Sequence, residues 1–210
     1  MPTTITRIQK TRLGRFSLYG EEGFLFSLDS ETYFSCGVEE GDTLTDNDLA
    51  ALREKSDARK AKDKALQYLS LRLYGERELY DKLCLKFDGP TSAAAVAEMV
   101  RLELLDDARF AAQKAAWLKT RHKSRREAQR QLAEKGVDRN LIDEALDEVY
   151  GDGDEREEID RLIRRSYAAK LENGKRDAVY AALCRRGFAP RTVREALNDW
   201  ADARQEGWDE

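Results

Sequence analysis

Three stretches of this chain resemble one another at a spacing of roughly fifty residues, and such a period limits the fold to a tandem array of small modules. Glu78–Phe87, Glu127–Val137 and Asp177–Phe188 align so that Leu83, Leu132 and Leu183 take one place. Cys84 and Cys184 also coincide, opposite Ala133, which reads as small-residue packing inside each module rather than redox chemistry. Gly136 and Gly187 end their helices just past the last turn, where a positive φ costs glycine little. Asp138, and Ala189 with Pro190, then start a further helix. It carries Leu141, Ile142 and Leu146 in the second copy and Val193, Leu197 and Trp200 in the third. In the first copy Gly89-Pro90-Thr91 precedes Val96, Met99, Val100 and Leu102. An upstream helix completes each copy. Its apolar stripe holds Ala65, Leu66, Leu69 and Leu73, then Phe110, Lys114, Trp117 and Leu118, then Ile159, Leu162, Ile163 and Tyr167. A three-helix unit of this size buries a marginal core, which neighbouring units extend. The expected fold is therefore mainly α, a tandem array of three three-helix repeats forming elongated helical modules. Such an array suits an extended partner and does not by itself enclose a reaction cleft.

The front of the chain follows a different period. Thr4–Ile8, Arg15–Tyr19 and Phe24–Leu28 alternate apolar and polar residues, with Gly20-Glu21-Glu22-Gly23 between the last two. This pattern predicts a small N-terminal β-hairpin or meander, which needs a helical surface to pack on. Ser17 to Ala50 contains nine Asp or Glu and no Lys or Arg. That stretch reads either as a solvated acidic surface or as an acidic cap that mimics or repels nucleic acid. Thr45-Asp46-Asn47-Asp48 forms a capping box that opens the helical region. The resulting layout is a β-rich extension at 1–44, a first repeat with a leading helix at 45–105, a second repeat at 106–150, a third at 154–204 and a frayed tail at 205–210, with Trp208 exposed.

Enzymatic function finds no inventory here. The single histidine, His122, lies among cations, which suits neither metal ligation nor a catalytic triad. No phosphate-cradling glycine loop, dinucleotide fingerprint or HExxH helix occurs. Asp106-Asp107 stands at a helix start and reads as a cap. Cys36, Cys84 and Cys184 are too scattered for a disulfide framework or a zinc site, so a reduced compartment, no metal and no cofactor are expected. The chain shows no apolar leader and no membrane-length apolar run, so a cytoplasmic monomer is expected.

The most informative polar feature is basic. Lys119 to Arg139 holds eight Lys or Arg against three acids, although the whole chain has a formal charge of −4. Ser124-Arg125-Arg126-Glu127 is itself a capping sequence, so the run spans a loop and the first turns of a helix. Lys123, Arg126 and Arg130 stand at spacings of three and four, which places them on one face, with Arg125 turned elsewhere. The run reads either as a face for phosphates or an acidic protein surface, or as a solvated helix face. Arg164-Arg165 and Arg185-Arg186 repeat the theme, while Trp117, Tyr167 and Tyr180 fall on apolar stripes and are expected in the core. Asp152-Gly153-Asp154-Glu155 reads as a flexible acidic link running into a helix.

Taken in order, these motifs resemble the RecX family. Leu104-Leu105-Asp106-Asp107-Ala108-Arg109-Phe110-Ala111 is similar to that family's junction before the second repeat. Gln131–Val137 and Leu183–Phe188 are similar to its second- and third-repeat helix ends, and Ala65–Leu69 with Glu78–Leu83 to its first repeat. The resemblance covers residues from about 60 to 200, and the β-rich front more loosely. One departure is Gly75, where the family often has Ser before a helix. The resemblance implies a regulator, mainly negative, of the RecA recombinase. It would bind in the groove of the RecA–DNA filament and restrain its growth, ATPase and strand exchange, and through them the SOS response. It also implies that basic residues meet RecA or its DNA, here Lys123, Arg125, Arg126, Arg130 and Lys135. The alternative is a stand-alone helical DNA-binding protein.

Overall fold

The computed structural model describes residues 2–151, 153 and 155–206. The protein is mainly helical, with a small antiparallel strand region at the N-terminal end. It divides into two compact units, Met1–Leu105 and Asp106–Glu210.

In the first unit, β1 (Thr3–Thr4) is closed by β5 (Thr43–Leu44), and β2 (Arg7–Lys10), β3 (Phe16–Gly20) and β4 (Gly23–Leu28) form a meander. Gly20 pairs with Gly23, leaving Glu21-Glu22 as a two-residue loop, and Gly23 has φ 114°. That tight turn is the one the glycines announce. Alternation does not reveal α1 (Ser30–Cys36), which Asp29 starts by accepting from the Thr32 amide. The helix α2 (Asp46–Leu69) begins on the expected capping box, with both reciprocal bonds between Thr45 and Asp48 in place. Its first turns bring Leu49 and Leu52 onto Leu18, Phe26 and Leu28, so the meander has the helical support it requires.

The later turns of α2 serve a second core with α3 (Glu76–Cys84) and α4 (Gly89–Arg101). Ala61, Ala65, Leu79, Leu83, Val96 and Met99 are buried there. Gly75 caps α3 without a side-chain bond, while Asp88 caps α4 by accepting from Thr91. Some members of the expected stripes differ. Leu66, Val100 and Leu102 are exposed, because each lies at the border of its helix's apolar arc or past its last turn. Cys84 is exposed too, and Cys184 only half buried. Each follows a buried leucine by one residue, a rotation of about 100° off the core face.

The second unit contains α5 (Asp107–Thr120), α6 (Arg125–Glu134) and α7 (Arg139–Tyr150), with α5 packed on both others. Asp106, Ser124 and Asp138 cap these three helices through their side chains. Then come α8 (Glu155–Leu162), a π-helical turn (Ile163–Tyr167), α9 (Ala168–Glu172), α10 (Arg176–Arg185) and α11 (Pro190–Glu206). In an unbroken α-helix Tyr167 would stand about 80° from Ile159. The π turn takes up the extra residue, and Ile159, Leu162, Ile163 and Tyr167 all reach the core with Val179, Leu183, Phe188, Val193 and Leu197.

Both repeat glycines behave as their spacing predicts. Gly136 and Gly187 have φ of 77° and 95°. Around each, the next two amides return to the helix in a Schellman pattern. Gly136 donates to Ala133 and Val137 to Leu132; Gly187 donates to Cys184 and Phe188 to Leu183. Asp152 and Asp154 of the expected acidic link lie outside the described residues, as does the tail beyond Glu206 with Trp208.

Candidate partner-binding groove

The basic run is organised around the end of α10, which docks on the start of α6. Gly187 has no room for a side chain: a Cβ there would lie 2.3 Å from the Glu127 Cβ and 2.7 Å from the Ser124 Oγ. The Ser124 amide donates to the Arg186 carbonyl at 2.9 Å, while its Oγ accepts from the Glu127 amide at 3.1 Å. Lys123 Nζ donates to the Arg185 carbonyl at 2.9 Å, and Arg126 Nε to the Gly187 carbonyl at 3.2 Å. In return, Arg186 Nη1 donates to the Arg121 carbonyl at 3.1 Å. The last carbonyls of a helix lack intrahelical donors and carry partial negative charge, so cations are favoured there. Lys123 and Arg126 therefore converge, as their spacing implies, and part of their hydrogen-bonding capacity holds one three-helix set against the next.

Beside this contact lies a groove of about 700 Å³. Ala133, Val137, Ile142 and Cys184 supply its apolar floor, and Arg126, Arg130 and Arg139 its rim. Arg130 is oriented by Glu127 at 2.9 Å and by Glu134, and Arg139 approaches Asp143 at 3.7 Å. The Arg130 hydrogen bond lowers the Glu127 carboxyl to about 2, against the opposing effect of burial and with further help from Gln131. Glu127, paired with Arg130, and Gln129 also line it, so apolar residues and guanidinium groups lie side by side and suit a partner segment that mixes apolar and acidic side chains.

The other expected residues point elsewhere. Arg125 is held by Asp147 at 2.5 Å. It lines a separate groove with Lys119, Lys123 and Tyr150, whose hydroxyl donates to the Lys123 carbonyl at 3.1 Å. Burial, and Glu158 after it, pushes the Tyr150 phenol up to about 12. Lys135 caps the end of α6, half buried. Arg139 closes the basic run in sequence, yet only its position on α7 reveals it as part of the rim. Trp117 corrects an expectation: it is 45% exposed rather than core, because Leu118 and Ala115 occupy the buried face of α5. Among the described residues no His, Cys, Asp or Glu group could hold a metal ion, and no helix is long and apolar enough to cross a membrane.

Comparison with known proteins agrees with this architecture. The family model for the first three-helix domain of RecX matches residues 61–99, and that for the second matches residues 106–146. Regulatory protein RecX of Caldanaerobacter subterraneus is 26% identical over 196 residues, covering 92% of this chain and 98% of that protein. Regulatory protein RecX of Staphylococcus aureus strain JH9 is 26% identical over 203 residues, covering 93% of this chain and 73% of that protein. A crystal structure of regulatory protein RecX shares the fold with a TM-score of 0.60 at 22% identity, over 94% of this chain and 99% of that one. Repeated three-helix domains with a rimmed surface groove define a class of modular helical proteins. Within that class, the chain belongs to the RecX family of regulatory proteins.

Proposed function

We propose that the chain regulates the RecA recombinase, mainly negatively, by binding in the groove of the RecA–DNA filament. In this reading residues 45–105, 106–150 and 154–204 act as successive binding modules, with 1–44 an extension and the protein a cytoplasmic monomer. Filament growth, ATP hydrolysis and strand exchange are restrained, and the SOS response is damped with them. The observation that carries the reading is the arginine-rimmed, apolar-floored groove between α6, α7 and α10. It offers a protein partner both hydrophobic burial and charge pairing. Lys123, Arg125, Arg126, Arg130 and Lys135 are the proposed cationic contacts to RecA or its DNA, and Arg139 joins them at the rim.

Co-sedimentation tests the reading. The chain is expected to pellet with RecA assembled on single-stranded DNA. Arg139→Glu is expected to pellet several-fold less while keeping its helical circular dichroism, since an exposed charge contributes little to folding. A chain that stays in the supernatant with saturating filaments contradicts the proposal. The alternative, a DNA-binding protein that acts without RecA, is favoured by one observation: residues 108–126 hold seven Lys or Arg and no acid. It predicts tight binding to naked DNA with a steep salt dependence.

A further inference from the structure

Two large apolar side chains stand in solvent at one end of the meander: Leu13 is 89% exposed and Phe34 73%. Leu13 sits at the tip of the loop between β2 and β3. There the Gly14 amide donates to the Thr11 carbonyl at 3.0 Å, the Thr11 amide donates to the Arg15 carbonyl at 2.7 Å, and Gly14 takes φ 76°. A loop so short and closed holds Leu13 outward. The Ser30 Oγ donates to the Gly14 carbonyl at 2.6 Å, and Ser30 precedes Phe34 by four residues, so the loop meets the side of α1 that carries Phe34. Phe34 is braced by Phe16 and Tyr33, with ring centroids at 5.5 and 5.3 Å, and those two rings stack at 3.9 Å. Two cations border this knob. Lys10 Nζ lies 5.8 Å from the Phe16 centroid, and Arg12 is exposed beside Leu13. Neither makes an ion pair among the described residues, and the first twenty residues hold four Lys or Arg and no acid.

We propose that this knob docks a short acidic protein segment, whose apolar side chain packs on Leu13 and Phe34 while neighbouring carboxylates pair with Lys10 and Arg12. Area sets the size of the partner. An aromatic side chain covers about 150–250 Å². Two apolar side chains therefore offer well under the roughly 800 Å² per partner of a stable complex between folded proteins, a second copy of this chain included. A linear segment is the partner such a patch can hold. Charge sets its character. Asp29 and Glu31 flank the same end at the start of α1, with Glu31 paired to Arg59 at 2.8 Å. Glu40 lies along β2, where it accepts from the Ile8 amide at 2.7 Å. A lipid surface or a nucleic acid is negative throughout and would meet these carboxylates as well as the cations. A peptide can set its acids against Lys10 and Arg12 alone. The knob is already formed in the free protein, so docking orders few of its side chains. None of these residues lines the arginine-rimmed groove, so the proposal stands or falls apart from the RecA reading.

The test pans a phage-displayed library of random peptides of about twelve residues on the full chain, with counter-selection on the Phe34→Ser chain. Enriched peptides are then synthesised with a fluorescent label and titrated by anisotropy. They are expected to carry Asp or Glu within a few residues of an apolar side chain. Phe34→Ser and Leu13→Ser should each weaken their binding roughly 30-fold, the loss for a residue at the centre of an interface. Arg12→Glu should weaken it several-fold, with an effect that shrinks as salt is added. Arg139→Glu, in the other unit, should leave it unchanged. Leu13 is almost wholly in solvent, so Leu13→Ser keeps the fold and supplies the decisive readout if Phe34→Ser unsettles the aromatic cluster. Four results would overturn the proposal. They are no enrichment over the counter-selection, enriched peptides without an excess of acids, equal affinity of Leu13→Ser and the parent chain, or sedimentation of the chain with phosphatidylserine vesicles that Leu13→Ser abolishes. The last would assign the knob to a lipid surface.

Discussion

At the scale of single residues, Gly187 carries the most structural consequence. Its backbone has a positive φ, and the α6 start occupies the place of a Cβ. Gly187→Ala therefore adds left-handed strain to an overlap with the Glu127 and Ser124 side chains. Together these should cost about 2–4 kcal/mol. Gly174 supplies the control, with φ 70° and open space around it. Gly174→Ala should cost only the backbone strain, about 1 kcal/mol. Urea denaturation of the two variants reads the difference directly. Equal midpoints would mean that the end of α10 does not press on α6. Sequence spacing announces Gly187 as a helix stop. It cannot announce that the same residue is an inter-repeat contact, because the partner atoms lie some sixty residues earlier in the chain.

At the scale of elements, the start of α6 combines a serine cap, a buried-side carboxylate and a cation cluster. The Glu127 side chain is only 14% exposed and is paired with Arg130. Its folded pKa, about 2, lies below the ordinary glutamate value of 4.5. A carboxyl lowered by folding contributes stability that is complete above the unfolded value and fades as pH falls through the folded one. The stability of the chain should therefore drop between about pH 4.5 and pH 2. Glu127→Gln should flatten that drop while losing stability at neutral pH. Urea midpoints across this range check it; parallel pH curves for variant and parent would contradict the pairing.

Elements were also the scale at which the sequence was most readable. Capping residues act on amides two or three positions away, so Thr45, Asp106, Ser124 and Asp138 can be read locally. The buried stripes follow from helical period, and the repeat leucines Leu83, Leu132 and Leu183 are fully buried. The misreadings occur where period leaves a choice. Trp117 precedes Leu118 on α5, and only the arrangement of α6 and α7 decides which of the two is covered. The π turn at Ile163–Tyr167 leaves no local mark beyond one residue too many between Ile159 and Tyr167. The short helix α1 was hidden because Asp29, its cap, lies among residues that otherwise alternate. As for the groove, Arg126 and Arg130 are legible as a helical pair. Arg139 and Ile142 of α7 and Cys184 of α10 are not, since no local signal places those helices beside α6.

At the scale of the whole molecule, a repeat fold is joined to a regulatory role. The repeats supply several small cores in place of one large core, and the second unit adds a surface groove where two repeats meet. Such a protein acts through what it covers on its partner. The proposed RecA partnership makes a quantitative demand: a regulator that caps or lines a filament should affect many RecA subunits per copy bound. The most direct measurement is the DNA-dependent ATPase of RecA on single-stranded DNA, titrated with this chain. The account predicts that the rate falls well before the chain reaches one copy per RecA, and that Arg139→Glu shifts the titration several-fold to higher concentration. An ATPase rate unchanged at equimolar chain would contradict it.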